Sequence, residues 1–161
     1  MRFRIKFIFI AVLISSAFQA STQSLNDELP LVFTVGEHGK MYEQLVSECE
    51  TPLVELSSNS MDSAYVYWLQ QMGQLEVHAD TSGFDIKGVK IWINVFWNPD
   101  GSIKHIAFFP KKSSRNIDFD ELRTLLKAFA KKNRISLNCN SCFSHFGSAS
   151  FPTHADYLLN R

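Results

Sequence analysis

The clearest hydrophobic pattern in this chain runs from Val89 to Phe129. Apolar residues occupy every second position of its first part: Val89, Ile91, Ile93, Val95 and Trp97. This period of two predicts a β-strand. The following Asn-Pro-Asp-Gly fits a type I turn with Gly101 in the left-handed conformation. We therefore expect a hairpin in which Asn98 pairs with Ser102.

The predicted hairpin has two different faces. Its register pairs Ile91 with Phe109 and Val95 with His105, which gives one continuous apolar face for helices to cover. Large apolar side chains also interrupt the opposite face: Trp92, Phe96, Ile106 and Phe108. Such a face indicates either cover by the N-terminal segment or the C-terminal tail, or an exposed binding surface.

Helical periodicity follows the hairpin and also precedes it. Asp118 and Glu121 form a capping box before an amphipathic segment that continues to Phe129 and ends at two lysines. A longer helix is predicted from about 61 to 79, capped by Asn59 or Ser60, and a shorter one from about 40 to 49. The remaining segments predicted to be extended are 31–35, 53–56 and 143–151.

These elements predict an α+β fold. We expect a small antiparallel sheet of three or more strands, with two main helices packed on one face. At 161 residues and 45% hydrophobic content, the chain is long enough for one domain with its own core. The domain is placed at 31–161, after a flexible, polar lead-in at 21–30.

The first twenty residues have the pattern of a signal peptide. Arg2, Arg4 and Lys6 precede the apolar run Phe7–Leu13, and small residues follow as far as Ala20. The run of about a dozen residues is shorter than the roughly 20 that a spanning helix needs, so a retained anchor is the less favoured alternative. We expect a periplasmic or secreted protein with no membrane span once the leader is cleaved.

Charge becomes uneven once the leader is set aside. The chain has 16 basic and 16 acidic residues, and removal of three leader cations leaves 13 against 16. A mildly acidic protein is not expected to bind nucleic acid. Residues 104–134 hold nine Lys or Arg and three acids, whereas residues 21–101 hold twelve acids and three Lys. The alternatives are two solvated halves of one domain or a basic patch for an acidic partner.

The hairpin and the helix after it resemble a known family. The segments that carry the likeness are the strand and turn at 89–106, the Ser-Ser-Arg at 113–115 and Ile-Asp-Phe-Asp-Glu-Leu at 117–122. They are similar to the C-terminal domain of TonB-type energy transducers over about forty to sixty residues. The resemblance implies an extracytoplasmic domain that recognises a protein or peptide at a sheet edge. The anchor and Pro-rich spacer of a transducer are not found in this sequence.

Three cysteines leave several chemistries open. Cys139 and Cys142 form a CxxC pair, and Cys49 stands apart. In an oxidising compartment we favour a structural bond, either within the CxxC pair or from one member to Cys49. Thiol exchange is the alternative, but the pair does not begin a helix that would activate a thiolate. The spacing to His145 and His154 lies outside the usual zinc patterns, so no metal site is predicted.

The sequence therefore predicts a binding module without catalysis or cofactor. The chain contains no GxSxG, HExxH, Walker or GxGxxG motif. An envelope protein or peptide is the expected partner, recognised by sheet-edge pairing. The candidate binding residues lie on the second face and in the last strand: Trp92, Phe96, Phe108, Phe143, His145, Ser148 and Phe151. A small thiol-disulfide enzyme and a structural envelope protein are the alternatives.

Overall fold

The computed structural model of this protein describes residues 28–160. The predicted leader at 1–20 and most of the lead-in lie outside the described residues. Five strands and five helices follow one another in this order: β1 (Val32–Thr34), α1 (Gly39–Glu48), β2 (Thr51–Pro52), α2 (Leu53–Leu56), α3 (Met61–Thr81), β3 (Lys90–Trp97), β4 (Ile103–Pro110), α4 (Phe119–Lys132), β5 (Phe143–Ser150) and α5 (Ala155–Leu159). No helix in this part of the chain is both long and apolar enough to cross a membrane.

The strands form one mixed sheet in the order β1-β4-β3-β5-β2. The central strand β3 is antiparallel to β4 and to β5, whereas β1 pairs with β4 and β2 pairs with β5 in parallel. The predicted α+β class is confirmed, but the prediction of a purely antiparallel sheet is wrong. Helix α1 carries the chain from β1 at one edge of the sheet to β2 at the other.

The hairpin turn forms as expected, but the register beyond it does not. The N–H of Asn98 donates to the carbonyl of Ser102 at 2.8 Å, and Trp97 pairs with Ile103. A bulge at Lys104 then shifts the register, so that Phe96 faces His105 and Ile93 faces Phe108. A shift of one residue moves every later side chain to the other face. The predicted faces of β4 are therefore reversed beyond the bulge.

The main core lies on one face of the sheet, under α2, α3 and α4. From β3 it takes Ile91, Ile93, Val95 and Trp97, which is the face that the alternation predicted. Because of the bulge, β4 contributes Ile106 and Phe108 instead of Ala107 and Phe109. The helices add an apolar stripe each: Trp68, Met72 and Leu75 from α3, and Leu122, Leu126 and Phe129 from α4.

A smaller core lies on the second face, under α1. Leu45 of the helix and Cys49 directly after it pack there with Phe33, Phe96 and Ala107. The hydroxyl of Tyr42 accepts a hydrogen bond from Asn94 Nδ2 at 3.2 Å. We expected the N-terminal part of the chain to cover the second face. Helix α1 does so at the end of the sheet near the hairpin turn. The other end of this face remains exposed.

Two local predictions about the helices need correction. Residues 53–56, predicted to be extended, form a single helical turn, since Leu53 and Leu56 are three residues apart and point inward together. Asp118 does cap α4, but its carboxylate accepts from the N–H of Asp120 at 2.8 Å rather than from Glu121. For α3, Ser60 is the cap, and its hydroxyl accepts from the N–H of Ser63.

Candidate binding site at the edge of strand β5

Most of strand β5 has an open outer edge. Strand β2 pairs with it only at Phe143 and Ser144. Within the described part of the chain, no strand pairs with the outer side of the stretch Phe146–Ser150. This stretch continues directly from the covered part, so a sixth strand could pair with β5 there, in line with β2.

The backbone of this open stretch presents hydrogen-bonding groups to solvent. The N–H of Phe151 donates to the carbonyl of Val89, which fixes the phase in which β5 bonds to β3. Because bonding direction alternates along an antiparallel strand, the groups of Phe146, Ser148 and Ser150 point away from β3. These three residues supply the N–H and C=O groups that an added strand would use.

Three exposed aromatic side chains lie beside this edge, on the second face. We call Trp92, Phe109 and Phe146 the aromatic patch. They belong to β3, β4 and β5 in turn, and their exposed fractions are 44%, 52% and 60%. The rings of Trp92 and Phe146 are stacked, with centroids 5.7 Å apart and an angle of 11° between the planes. The ammonium of Lys111 lies 4.1 Å from the centroid of the Trp92 ring.

The patch remains exposed because α1 covers only part of this face. Phe96, two residues after Asn94 on β3, is fully buried against Tyr42 of α1. Trp92, two residues before Asn94, lies beyond the helix. The aromatic patch therefore lies on the second face between the part covered by α1 and the open edge of β5.

On the opposite face, α3 stands over the same edge. Trp68 packs on His145, with ring centroids 4.6 Å apart, and a Cβ at Gly147 would lie 3.0 Å from the Trp68 ring. Tyr65 is 54% exposed. Tyr65 lies eleven residues before Glu76, which is about three helical turns. The two side chains are therefore on the same side of α3. Glu76 binds Thr153 in the chain that leaves β5.

The predicted binding residues divide into three groups in the structure. Trp92 is exposed in the aromatic patch and Ser148 is exposed at the edge. His145 is half-buried beneath Trp68 on the core face. The other four are buried: Phe96 lies under α1, and Phe108, Phe143 and Phe151 lie in the main core. Phe108 was assigned to the wrong face because the bulge at Lys104 was not foreseen.

Two patch residues escaped the sequence analysis. Phe109 was placed on the core face by the same error of register. Phe146 had a visible signal, because it is the one aromatic residue in the alternate set that includes Ser144, Ser148 and Ser150. An aromatic side chain among serines, out of phase with the apolar positions, indicates an exposed ring.

Two of the half-buried histidines, His105 and His145, have a lowered pKa. Burial lowers the pKa of His145 below its ordinary value of 6.5. Burial also lowers the pKa of His105, against an opposing hydrogen bond in which His105 Nδ1 donates to the carbonyl of Pro30 at 3.0 Å. His105 was predicted on the core face and lies on the second face instead, which is a further result of the bulge.

A disulfide joins α1 to the start of β5. Cys49 bonds to Cys142 across 93 residues of sequence, and Cys139 is a free, half-buried cysteine. This selects the second of the two structural alternatives and leaves the CxxC pair unbonded. Residues 28–160 contain no group of three or more His, Cys, Asp or Glu side chains able to hold a metal ion.

No protein-family model, curated protein or solved structure matches this chain.

Proposed function

We propose that this protein is a non-catalytic binding module that acts outside the cytoplasm and recognises an extended protein or peptide segment at the outer edge of β5. The observation that carries the proposal is the open stretch Phe146–Ser150 beside the exposed aromatic patch. Strand addition obtains affinity from backbone hydrogen bonds and selectivity from alternate side chains. This site offers both.

The lack of protection at this edge supports the proposal. Proteins usually guard a free strand edge with a charged residue, a proline or a short strand. Strand β5 is eight residues long and contains no Lys, Arg, Asp, Glu or Pro. Its outward residues are two serines and a phenylalanine, so the strand itself places no charge at the edge. An edge of this kind is a risk of aggregation unless a partner uses it.

The aromatic patch supplies the apolar contact that such a partner needs. Trp and other aromatic residues are common among the few interface residues that carry most of the binding free energy. The ring of Trp92 is held in place by the stacked ring of Phe146 and by the ammonium of Lys111. A ring fixed in this way loses little freedom on binding, so more of its contact energy contributes to affinity.

The proposed location outside the cytoplasm rests on two observations. The first residues have the pattern of a cleaved leader. The Cys49–Cys142 disulfide favours an oxidising compartment, where such bonds form and persist. The resemblance to the C-terminal domain of TonB-type energy transducers points to the same setting, and we propose that β3, β4 and α4 correspond to that domain. Energy transduction is not part of the proposal.

The disulfide bears on the alternative of thiol exchange. Enzymes of that class cycle a neighbouring cysteine pair between thiol and disulfide. Here Cys142 is bonded to Cys49. Cys139 lies in a loop, and its backbone N–H donates to the carbonyl of Pro99. This arrangement gives thiol exchange no support. A structural envelope protein would differ from our proposal in having its aromatic patch permanently covered by the partner.

Capture of partners from envelope extract by the immobilised protein tests the proposal. Ser148→Pro removes an outward N–H, whereas the matched control Ser148→Ala keeps it. Trp92→Ala removes the ring, whereas Trp92→Phe retains an aromatic side chain. We expect Ser148→Pro to abolish capture and Trp92→Ala to weaken it by about 2 kcal/mol or more, roughly thirtyfold. Both controls should retain binding.

Thermal melts of the same variants separate binding from folding. The N–H of Ser148 makes no bond to β3. We therefore expect Ser148→Pro to lower the free energy of unfolding much less than it lowers the free energy of partner binding. Unchanged capture by folded Ser148→Pro and Trp92→Ala variants would show that neither the edge nor the patch is the binding site.

A further inference from the structure

The strands that form the site are free of negative charge. Strands β3, β4 and β5 contain no Asp or Glu. Lys90 begins β3, and Lys111 follows β4 at the same end of the sheet. Neither lysine has an ion-pair partner within residues 28–160, although Lys104 at the other end pairs with Glu48. The aromatic patch is therefore flanked by two lysines that have no carboxylate partner among residues 28–160.

The register of β5 places these cations relative to an added strand. Ser150 pairs with Lys90, and Ser148 pairs with Trp92, all on the second face. An added strand would lie about 9.6 Å from β3, twice the spacing of neighbouring strands. Only the short side chain of Ser150 stands between Lys90 and that strand. A lysine side chain that crosses Ser150 can meet a carboxylate on the added strand.

Phe146 fixes the apolar position of the same strand. It lies four residues before Ser150 and faces the same side, and its ring stacks on Trp92. A partner side chain directly opposite Phe146 would lie about 5 Å from it and contact both rings. The residues opposite Phe146 and Ser150 are four positions apart whether the added strand is parallel or antiparallel.

Helix α1 also limits the shape of the occupant. Helix α1 lies on the same face as the aromatic patch and has the thickness of a helix, about 10 Å. A flat surface such as a bilayer would meet α1 before it reached the rings. A single extended chain beside β5 avoids α1 and reaches the patch from the edge.

We infer that the occupant is an acidic extended segment of another protein, with an apolar or aromatic residue opposite Phe146 and a carboxylate opposite Ser150. Lys90 holds the carboxylate, and Lys111 adds to the positive field over the patch. The inference rests on the proposed function, because it requires that a strand is added at this edge.

Three capped peptides of nine residues test the inference with the full protein. The first carries phenylalanine and glutamate four positions apart on one face, with threonine elsewhere. The second has lysine in place of glutamate, and the third is the first with methylated backbone nitrogens. Titrations are followed by peptide fluorescence anisotropy and by the amide NMR signals of Phe146–Ser150.

We expect the acidic peptide to bind about tenfold more tightly than the basic one at low salt, and the preference to narrow as salt is added. Lys90→Gln should reduce the preference to about threefold or less. The matched control Lys127→Gln removes the same charge from the exposed face of α4 and should leave the preference unchanged.

The outcomes separate the inference from the proposed function. Equal binding of acidic and basic peptides, with loss on backbone methylation, would overturn the acidic partner and leave edge recognition intact. An acidic preference that Lys90→Gln does not reduce would overturn the register. Failure of every peptide to bind would count against edge recognition itself. A dimer of the free protein that Ser148→Pro dissolves would identify a second copy as the occupant instead.

Discussion

Removal of the Cys49–Cys142 disulfide is the most informative perturbation of this fold. In the chain-entropy description, a cross-link restricts the unfolded chain by about 2.1 + 1.5R ln n cal/mol/K for a loop of n residues. The separation of 93 residues then corresponds to about 4.6 kcal/mol at 25 °C. A bond within the CxxC pair would close four residues and contribute only about 1.9 kcal/mol. The two pairings therefore predict different losses.

Three variants compared in guanidinium melts, with and without reductant, measure this loss. Cys49→Ala with Cys142→Ala should lose about 2 to 5 kcal/mol of unfolding free energy, because measured values usually fall below the entropic limit. Cys139→Ser should match the wild type, since its thiol is free. Reductant should weaken the wild type and Cys139→Ser equally and leave the double variant unchanged.

Cys139→Ser is also the control that can refute the argument. If this variant were as unstable as the double variant, the native bond would lie within the CxxC pair. A wild type that lost less than about 2 kcal/mol on full reduction would contradict the long-loop estimate. Peptide mapping after alkylation of the free thiol identifies the pairing independently.

Three further predictions concern the rest of the fold. Leu122→Ala should lower the free energy of unfolding by about 2 to 5 kcal/mol because the side chain is fully buried. Asp118→Ala should lower it by about 1 kcal/mol through loss of the cap. If denaturant melts showed Leu122→Ala to be the milder change, the buried face assigned to α4 would be contradicted. Gly101→Ala should destabilise more than its control Gly83→Ala. Both glycines have positive φ, but a Cβ at 101 would clash with the Ile135 carbonyl, whereas the space around 83 is open; equal melting points would exclude the clash. Burial lowers the pKa of His145 and of His105, so the unfolded state binds more protons than the folded state as the pH falls below the ordinary pKa of 6.5. The free energy of unfolding should therefore fall between pH 7 and pH 5. His145→Gln should flatten this pH dependence, and an unchanged slope would show that His145 does not contribute to it.

Periodic segments explain most of what the sequence could predict. Helices α3 and α4, strand β3 and the turn before Ser102 each depend on residues close in sequence, and each is found near its predicted bounds. The short helix α2 was missed because four residues are too few for periodicity to separate a strand from a helical turn. Local patterns thus sufficed where an element was long.

Features that depend on distant contacts were not predictable in this way. The parallel pairing of β1 with β4 joins segments about seventy residues apart, and nothing local marks it. One additional residue, Lys104, reversed the faces of β4 and so exchanged Phe108 for Phe109 in the candidate site. The choice of Cys49 as the partner of Cys142 likewise depends on where α1 lies over the sheet.

The central position of β3 has a consequence for the order in which this chain folds. Its two neighbours differ greatly in sequence separation, since β4 is joined by a short turn while β5 pairs across 46 to 60 residues. The entropy of loop closure favours the β3-β4 hairpin first and delays β5. Until β5 arrives, the second edge of β3 is itself open to other chains, and the cysteine that belongs with Cys49 is not yet in place. We expect oxidation before β5 docks to produce mixed pairings that include Cys139, so that the yield of correctly folded protein depends on the rate of oxidation relative to the closure of the sheet.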